Sequence, residues 1–287
     1  MPIHTTHDGT RIYYRDWGKG QPIVFSHGWP LTGDAWEGQM MFLRANGYRT
    51  IAHDRRGNGR SDQPDFGNDV DTWADDLGSL IEHLDLEHVM LVGHSTGGGE
   101  VARYIARHGS SRVARVVLLD SIVPQMLQGP DNPDGVPLEA IDQIRAGTLA
   151  NRSEFFRQVA TPFFSANRDG STVTQGMRDL FWFLGLEGGL LAQYETSFSW
   201  QVDYTDDARR IDVPTLVIHG DDDQIVPLAV GKRAAEIIPD ARLLVYPGGN
   251  HGIAITDPDR VNADLLAFLR EGGAAGVPAA VAEAEPV

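Results

Sequence analysis

The stretch "VMLVGHSTGGGEVARY", residues 89–104, decides how the rest of the chain is read. Its first half is a run of apolar residues broken only by glycine, as in a strand buried on both faces of a parallel sheet. Its second half places Val101, Tyr104 and Ile105 at helical spacing, and the stripe runs on to His108 before Gly109, a C-terminal helix cap. Between the halves stands Gly93-His94-Ser95-Thr96-Gly97, a G-x-S-x-G pattern at a strand-to-helix junction. That junction predicts a sharp, strained turn with Ser95 at its apex. Glycines two residues to either side leave room for it, because a side chain there collides with neighbouring backbone. A serine so placed points up from the sheet edge. The helix N-terminus behind it offers N–H groups to developing negative charge. Ser95 is therefore the candidate nucleophile.

Outward from this junction the same alternation repeats. "PIVFSHG" (22–28), "YRTIAHD" (48–54), "ARVVLLDS" (114–121), "PTLVIHGD" (214–221) and "ARLLVYPG" (241–248) are further near-continuous apolar runs, read as strands buried on both faces. Helices fit between them. "TWADDLGSLIEHLDL" (72–86) puts Trp73, Leu77, Leu80, Ile81 and Leu84 on one stripe. "TRIYYRDWGKGQP" (10–22) reads as an antiparallel leader with a Gly-rich turn. The pattern predicts an α/β fold, a mostly parallel central sheet with helices on both faces. From about Pro124 to Asp212 the buried strands stop and aromatics crowd at helical spacing, as in "TPFFSAN" (161–167) and "DLFWFLG" (179–185). This segment predicts a lid of short helices, 124–212, inserted between core parts 1–123 and 213–271. Residues 272–287, "GGAAGVPAAVAEAEPV", are low in complexity and read as a disordered tail.

The bulk composition narrows the function. With 287 residues, 41% apolar, the chain suits one large core with a lid. A formal charge of −16 argues against nucleic acid and anionic membrane as partners. The absence of cysteine excludes disulfides, zinc-thiolate sites and a cysteine nucleophile. No segment has the length of a signal-peptide core or a membrane span, so the reading is a soluble cytoplasmic protein. Subunit count stays open, and a homo-oligomer is allowed.

A serine nucleophile needs a base, and the base an orienting acid. Of ten histidines, His4, His7, His83, His88 and His108 read as solvated leader or helix-surface residues. His27 and His94 flank strand ends, where packing or backbone bonding is their role, and His53 and His219 end buried strands. His251 instead lies in "VYPGGNHGIAITDP" (245–258), a loop between the last strand and the final helix. Sites assemble in such loops of open α/β sheets, so His251 is the candidate base. For the acid, "VIHGDDDQIVP" (217–227) offers Asp221, Asp222 and Asp223 just past a strand. Three adjacent carboxylates are too costly to bury together, so one should point inward and the others to water or local N–H groups.

Over about residues 8–271 the chain resembles the α/β-hydrolase superfamily, and more narrowly its bacterial cofactor-free haloperoxidases and arylesterases. The resemblance is carried by "FSHGWP" (25–30), "GYRTIAHDRRGNGRSDQP" (47–64), "LVGHSTGGGEVARYIARHG" (91–109), "IDVPTLVIHGDDDQIVP" (211–227) and "NADLLAFL" (262–269). It implies the order Ser…Asp…His and an acid three residues after Gly220, which selects Asp223. Asp222 is the runner-up, and Asp120 is a further alternative because some members carry their acid on that strand. It also implies an oxyanion hole from the backbone N–H groups of Trp29 and Thr96. Two arginines of "DRRGNGRSD" read as ties at the sheet edge.

The expected activity is hydrolysis of small carboxylic esters through an acyl-enzyme. The relatives add perhydrolysis, in which hydrogen peroxide releases a peracid that oxidises halide without metal, haem or other cofactor. Pro30, with fixed φ and no N–H, would set where the Trp29 carbonyl points and favour peroxide. Trp29, Pro30, Ile122, Met126, Phe163, Ile225 and Leu228 are the expected substrate-binding residues. A lactonase, a C–C bond hydrolase and a non-catalytic small-molecule receptor are the other readings of the same residues.

Overall fold

The computed structural model describes residues 2–271; the tail assigned to 272–287 lies outside the described residues. Eight strands form one sheet: β1 (Ile3–Thr5), β2 (Arg11–Trp17), β3 (Pro22–Ser26), β4 (Arg49–His53), β5 (Val89–His94), β6 (Val113–Leu119), β7 (Thr215–Gly220) and β8 (Ala241–Tyr246). Their order is β1-β2-β4-β3-β5-β6-β7-β8. The leader strand β2 pairs antiparallel with both β1 and β4. Every pairing from β4 to β8 is parallel. The central strands β3, β5 and β7 are buried throughout, as their apolar runs require. β8 departs from that expectation: only Tyr246 is fully buried, because β8 is the sheet edge and lacks a neighbour on one side.

The period-2 alternation of each strand supplies two cores. Val24, Leu91, Val116, Leu118 and Val217 face α2 (Val70–His83) and α3 (Thr96–His108). Ile23, Phe25, Val92, Val117 and Ile218 face α1 (Glu37–Ala45) and, at the C-terminus, the helix Pro258–Arg270. Helix α2 starts where Asp69 caps the Thr72 N–H, and its stripe of Trp73, Leu77, Leu80 and Ile81 is buried. Gly109 ends α3 at φ 77°.

Between β6 and β7 lie α4 (Leu138–Phe163), α5 (Gln175–Glu187), α6 (Leu190–Thr196) and α7 (Thr205–Arg209). After β7 follow α8 (Leu228–Ile237), α9 (Ile253–Thr256) and α10, the C-terminal helix already described. The 26-residue α4 is longer than the short helices expected. It is two pieces joined at Asn151, whose backbone is non-helical at φ −161° and ψ 83°. The Asn151 side chain accepts from the Glu154 N–H, so it caps the second piece. One histidine assignment needs correcting. His4 is buried, with Nε2 2.6 Å from Ser79 Oγ, because β1 lies against α2. Among the described residues no helix is long and apolar enough to cross a membrane.

Candidate active site

Ser95 stands between β5 and α3 at φ 52° and ψ −119°, a conformation that L-residues seldom adopt. The flanking glycines permit it. A Cβ on Gly93 would lie 2.5 Å from the Gly97 carbonyl, and one on Gly97 would lie 2.2 Å from that of Ser26. The loop carrying Gly28 and Trp29 also comes close, since a Cβ on Gly28 would lie 2.9 Å from Ser95 Cβ. Neither the Trp29 N–H nor the Thr96 N–H has an acceptor among the described residues.

The direction of the Trp29 N–H follows from its neighbours. In a trans peptide the C=O and the next N–H point opposite ways. The Gly28 carbonyl is held by the His27 Nδ1–H at 2.9 Å and the Leu31 N–H at 3.0 Å. His27 Nε2 accepts from the Arg55 N–H at 3.0 Å, which places the ring proton on Nδ1. Burial, then the Arg55 charge, pulls the His27 pKa down to about 3, so the ring stays neutral. Arg55 in turn donates to the His27 carbonyl and to the buried Glu100, which also meets His53 at 2.9 Å. The arginines of "DRRGNGRSD" are structural in this sense: Arg55 braces the loop from behind, and Arg56 pairs with Asp76.

His251 and Asp223 meet after β8 and β7. His251 Nδ1 lies 2.7 Å from Asp223 Oδ2, and both side chains are buried. Asp223 Oδ1 accepts the N–H groups of Ile225 and Val226 at 2.8 and 2.9 Å. Burial opposes the Asp223 charge, but His251 and these hydrogen bonds bring its pKa below the ordinary value. The other two aspartates turn away. Asp221 accepts the Gly248 N–H at 2.6 Å, and Asp222 pairs with Arg168 at 2.9 Å. Asp120 lies behind Asp223: its Oδ1 accepts the Gly220 N–H, and its buried Oδ2 has no partner among the described residues. Burial, then the Asp223 charge, holds Asp120 well above the usual carboxylate range. Asp120, His219 and Asp223 bring potential ligand atoms within 4.8 Å of one another. Asp223 is already engaged by His251, and His219 Nε2 by the Val226 carbonyl, so the group is poorly suited to a metal.

Above Ser95 the inserted helices supply an aromatic wall. Trp29 packs edge-on against Phe156 at 5.3 Å and Trp200 at 5.2 Å. Phe163 stands edge-on to His251 at 5.0 Å. Ile122 and Met126 are buried beyond β6. Ile225 and Leu228 are half-buried beyond β7. The Trp29–Pro30 peptide is cis. The Pro30 carbonyl accepts from Gln193 Nε2 at 3.2 Å, while the Gln193 carbonyl accepts from the Trp29 indole at 3.0 Å. The Trp200 indole donates to Thr96 Oγ1 at 2.9 Å. Sequence reasoning missed Phe156, Gln193 and Trp200. The aromatic density around Phe156 and Trp200 was a signal, but nothing local paired the three with residues 29, 30 and 96.

The fold, the strained serine and the buried His–Asp pair together define a serine hydrolase of the α/β type. Residues 21–258 match the family described as alpha/beta hydrolase fold. The chain is 51% identical over 273 residues to the non-heme haloperoxidase of Rhodococcus erythropolis, covering 94% of this chain and 99% of that one. It is 44% identical over 276 residues to a bifunctional esterase/perhydrolase of Acinetobacter calcoaceticus, covering 94% of this chain and all (100%) of that one. The crystal structure of a bromoperoxidase from Bacillus anthracis superposes with a TM-score of 0.90 at 36% identity, covering 94% and 100% of the two chains. The chain belongs to the α/β-hydrolase family, in its non-haem haloperoxidase group.

Proposed function

We propose that the protein hydrolyses small carboxylic esters through an acyl-enzyme on Ser95, and that hydrogen peroxide competes with water to release it, giving a peracid. Ser95 Oγ attacks the ester carbonyl, and its proton passes to His251 Nε2. Asp223 holds Nδ1–H and offsets the imidazolium charge. The Trp29 and Thr96 N–H groups receive the oxyanion. The leaving alcohol takes the proton from His251. In the second half-reaction water or hydrogen peroxide gives its proton to His251 and attacks the acyl carbon. Ser95 regains a proton as acid or peracid departs. Released peracid then oxidises halide in solution.

The observation that carries this reading is the seat of Ser95: a positive-φ apex beside two N–H groups that lack acceptors among the described residues, in a chain with a buried His251–Asp223 pair. The segment 124–212, with helices α4 to α7, serves as the lid. Trp29, Ile122, Met126, Phe156, Phe163, Trp200, Ile225 and Leu228 form an apolar acyl pocket, which favours short acyl or aryl esters over peptides and phosphates. The esterase/perhydrolase relative supports both halves of the activity. The test gives purified protein p-nitrophenyl acetate, then acetate with hydrogen peroxide, bromide and a halogen acceptor. Ser95→Ala should abolish both activities; halogenation surviving in that variant overturns the reading. Pro30 favours peroxide through the Trp29 carbonyl, so Pro30→Leu should lower perhydrolysis relative to hydrolysis. An unchanged ratio removes that role.

A further inference from the structure

The chain has no cysteine, so its six methionines carry all of its sulfur. Among the described residues they stand in different surroundings. Met41 is 53% exposed. Met40 and Met90 are fully buried with Phe25 and Trp36, in the core on the α1 side of the sheet. Met177, on α5, is half-buried. Met126 is 3% exposed and lies in the other core, with Trp29, Ile122, Phe156 and Trp200.

Two ties hold the Met126 segment beside the nucleophile. The Ile122 N–H donates to the Ser95 carbonyl at 3.3 Å. Met126 follows four residues on, a span of at most roughly 14 Å. The Pro124 carbonyl, two residues before Met126, accepts from the Tyr204 N–H at 2.8 Å, and the Tyr204 hydroxyl donates to the Ser199 carbonyl at 2.9 Å. Between Ser199 and Tyr204 stands Trp200, whose indole donates to Thr96 Oγ1. On its other side the segment is closed by the Met126 carbonyl, which accepts the Val136 N–H at 2.8 Å. The main chain is thus fixed before and after a thioether that is shut off from bulk solvent.

We propose that Met126 is a modification site, oxidised to its sulfoxide by peracid formed on Ser95, so that perhydrolysis limits its own run. The proposal rests on the perhydrolase reading and on the acyl pocket given with it. The outer oxygen of the peracid passes to the Met126 sulfur. The S–O bond forms, the peroxy O–O bond breaks, and the hydroxyl proton moves to the departing carboxylate. Sulfur is oxidised by two electrons as the peracid is reduced to carboxylic acid, and no further reactant is needed. Hydrogen peroxide is the weaker oxygen donor, because hydroxide leaves less readily than carboxylate. Oxidation turns a flexible apolar side chain into a polar, chiral one. A sulfoxide oxygen without a donor is costly among apolar walls, so apolar acyl groups bind the oxidised protein less well.

The test reads which methionine takes up oxygen. Wild type receives p-nitrophenyl acetate with hydrogen peroxide. Ser95→Ala receives the same peroxide and, added from outside, as much peracetate as wild type makes. Fragment-ion mass spectrometry then measures sulfoxide at each methionine. The expected result is Met126 sulfoxide at least about fivefold higher in wild type. Exposed Met41 should be oxidised alike in both proteins, and buried Met40 and Met90 in neither. Equal Met126 oxidation in the two proteins overturns the proposal, because the oxidant then comes from bulk solvent. Peracetate released by wild type with Met126 unoxidised overturns it as well. Met126→Leu, scored against its own starting activity, should lose activity at least about threefold more slowly per peracid made; an equal rate of loss overturns the self-limiting role. Ester hydrolysis with no peracetate from wild type overturns the perhydrolase reading and this proposal together.

Discussion

Replacing His27 with phenylalanine tests whether the oxyanion hole is set from behind the loop. The substitution keeps a ring of similar size and removes the Nδ1–H that holds the Gly28 carbonyl at 2.9 Å. It also removes the acceptor of the Arg55 N–H. Losing a whole oxyanion donor costs about 10²–10³ in kcat. The Leu31 N–H still holds the same carbonyl at 3.0 Å, so part of the restraint survives. We expect kcat to fall about 10- to 30-fold, roughly 1.5–2 kcal/mol of transition-state stabilisation. KM should stay within twofold, because the oxyanion exists only beyond the ground state. The orphaned Arg55 N–H should destabilise the fold by about 1–3 kcal/mol, a Tm drop of roughly 2–5 °C for a chain of this length. Steady-state kinetics on p-nitrophenyl acetate and a circular-dichroism melt measure both quantities. A lowered Tm with kcat within threefold of wild type would refute the reasoning: the Trp29 N–H would then be aimed without His27.

Two further outcomes follow from the acids. Asp223→Asn should lower kcat about 10⁴-fold by leaving His251 in the wrong tautomer, whereas Asp222→Asn, whose side chain pairs with Arg168 instead, should change it less than about threefold; equal losses would misassign the acid. Asp120→Asn keeps an acceptor for the Gly220 N–H but has no proton to lose. Because the folded Asp120 pKa is raised above its unfolded value of 3.8, the native chain holds a proton that the unfolded chain has released. Wild-type stability should therefore fall through this group, by up to about 1.4 kcal/mol per pH unit, as pH climbs above that value. The asparagine variant should gain in Tm over wild type as pH rises above about 4, with no gain below; parallel Tm curves would show that Asp120 is charged in the fold.

The sheet is legible in the sequence because parallel strands buried on both faces announce themselves as apolar runs, and β3, β5 and β7 do so without interruption. The Ser95 turn is legible because its glycines sit at fixed offsets and their cause is local. β8 misleads for the converse reason: "ARLLVY" has the composition of a central strand, and only the sheet order puts it at an edge. His4 misleads because its partner Ser79 is 75 positions away. Among Asp221, Asp222 and Asp223 the spacing leaves the choice open. What separates them is the turn that offers two N–H groups to Asp223 Oδ1.

The contacts hardest to read are those of the inserted helices, and under the proposed function they bear on how substrate choice couples to catalysis. Gln193 grips the oxyanion loop twice, through its carbonyl to the Trp29 indole and through Nε2 to the Pro30 carbonyl. The Trp200 indole bonds Thr96 Oγ1. The inserted helices therefore touch both residues whose N–H groups we assign to the oxyanion hole. A substrate that shifts Trp200 moves a neighbour of Thr96, and one that shifts α6 pulls on residues 29 and 30. If the inserted helices form the lid we propose, they cannot select acyl groups independently of the chemistry. Substitutions in α6 should register in kcat as well as KM.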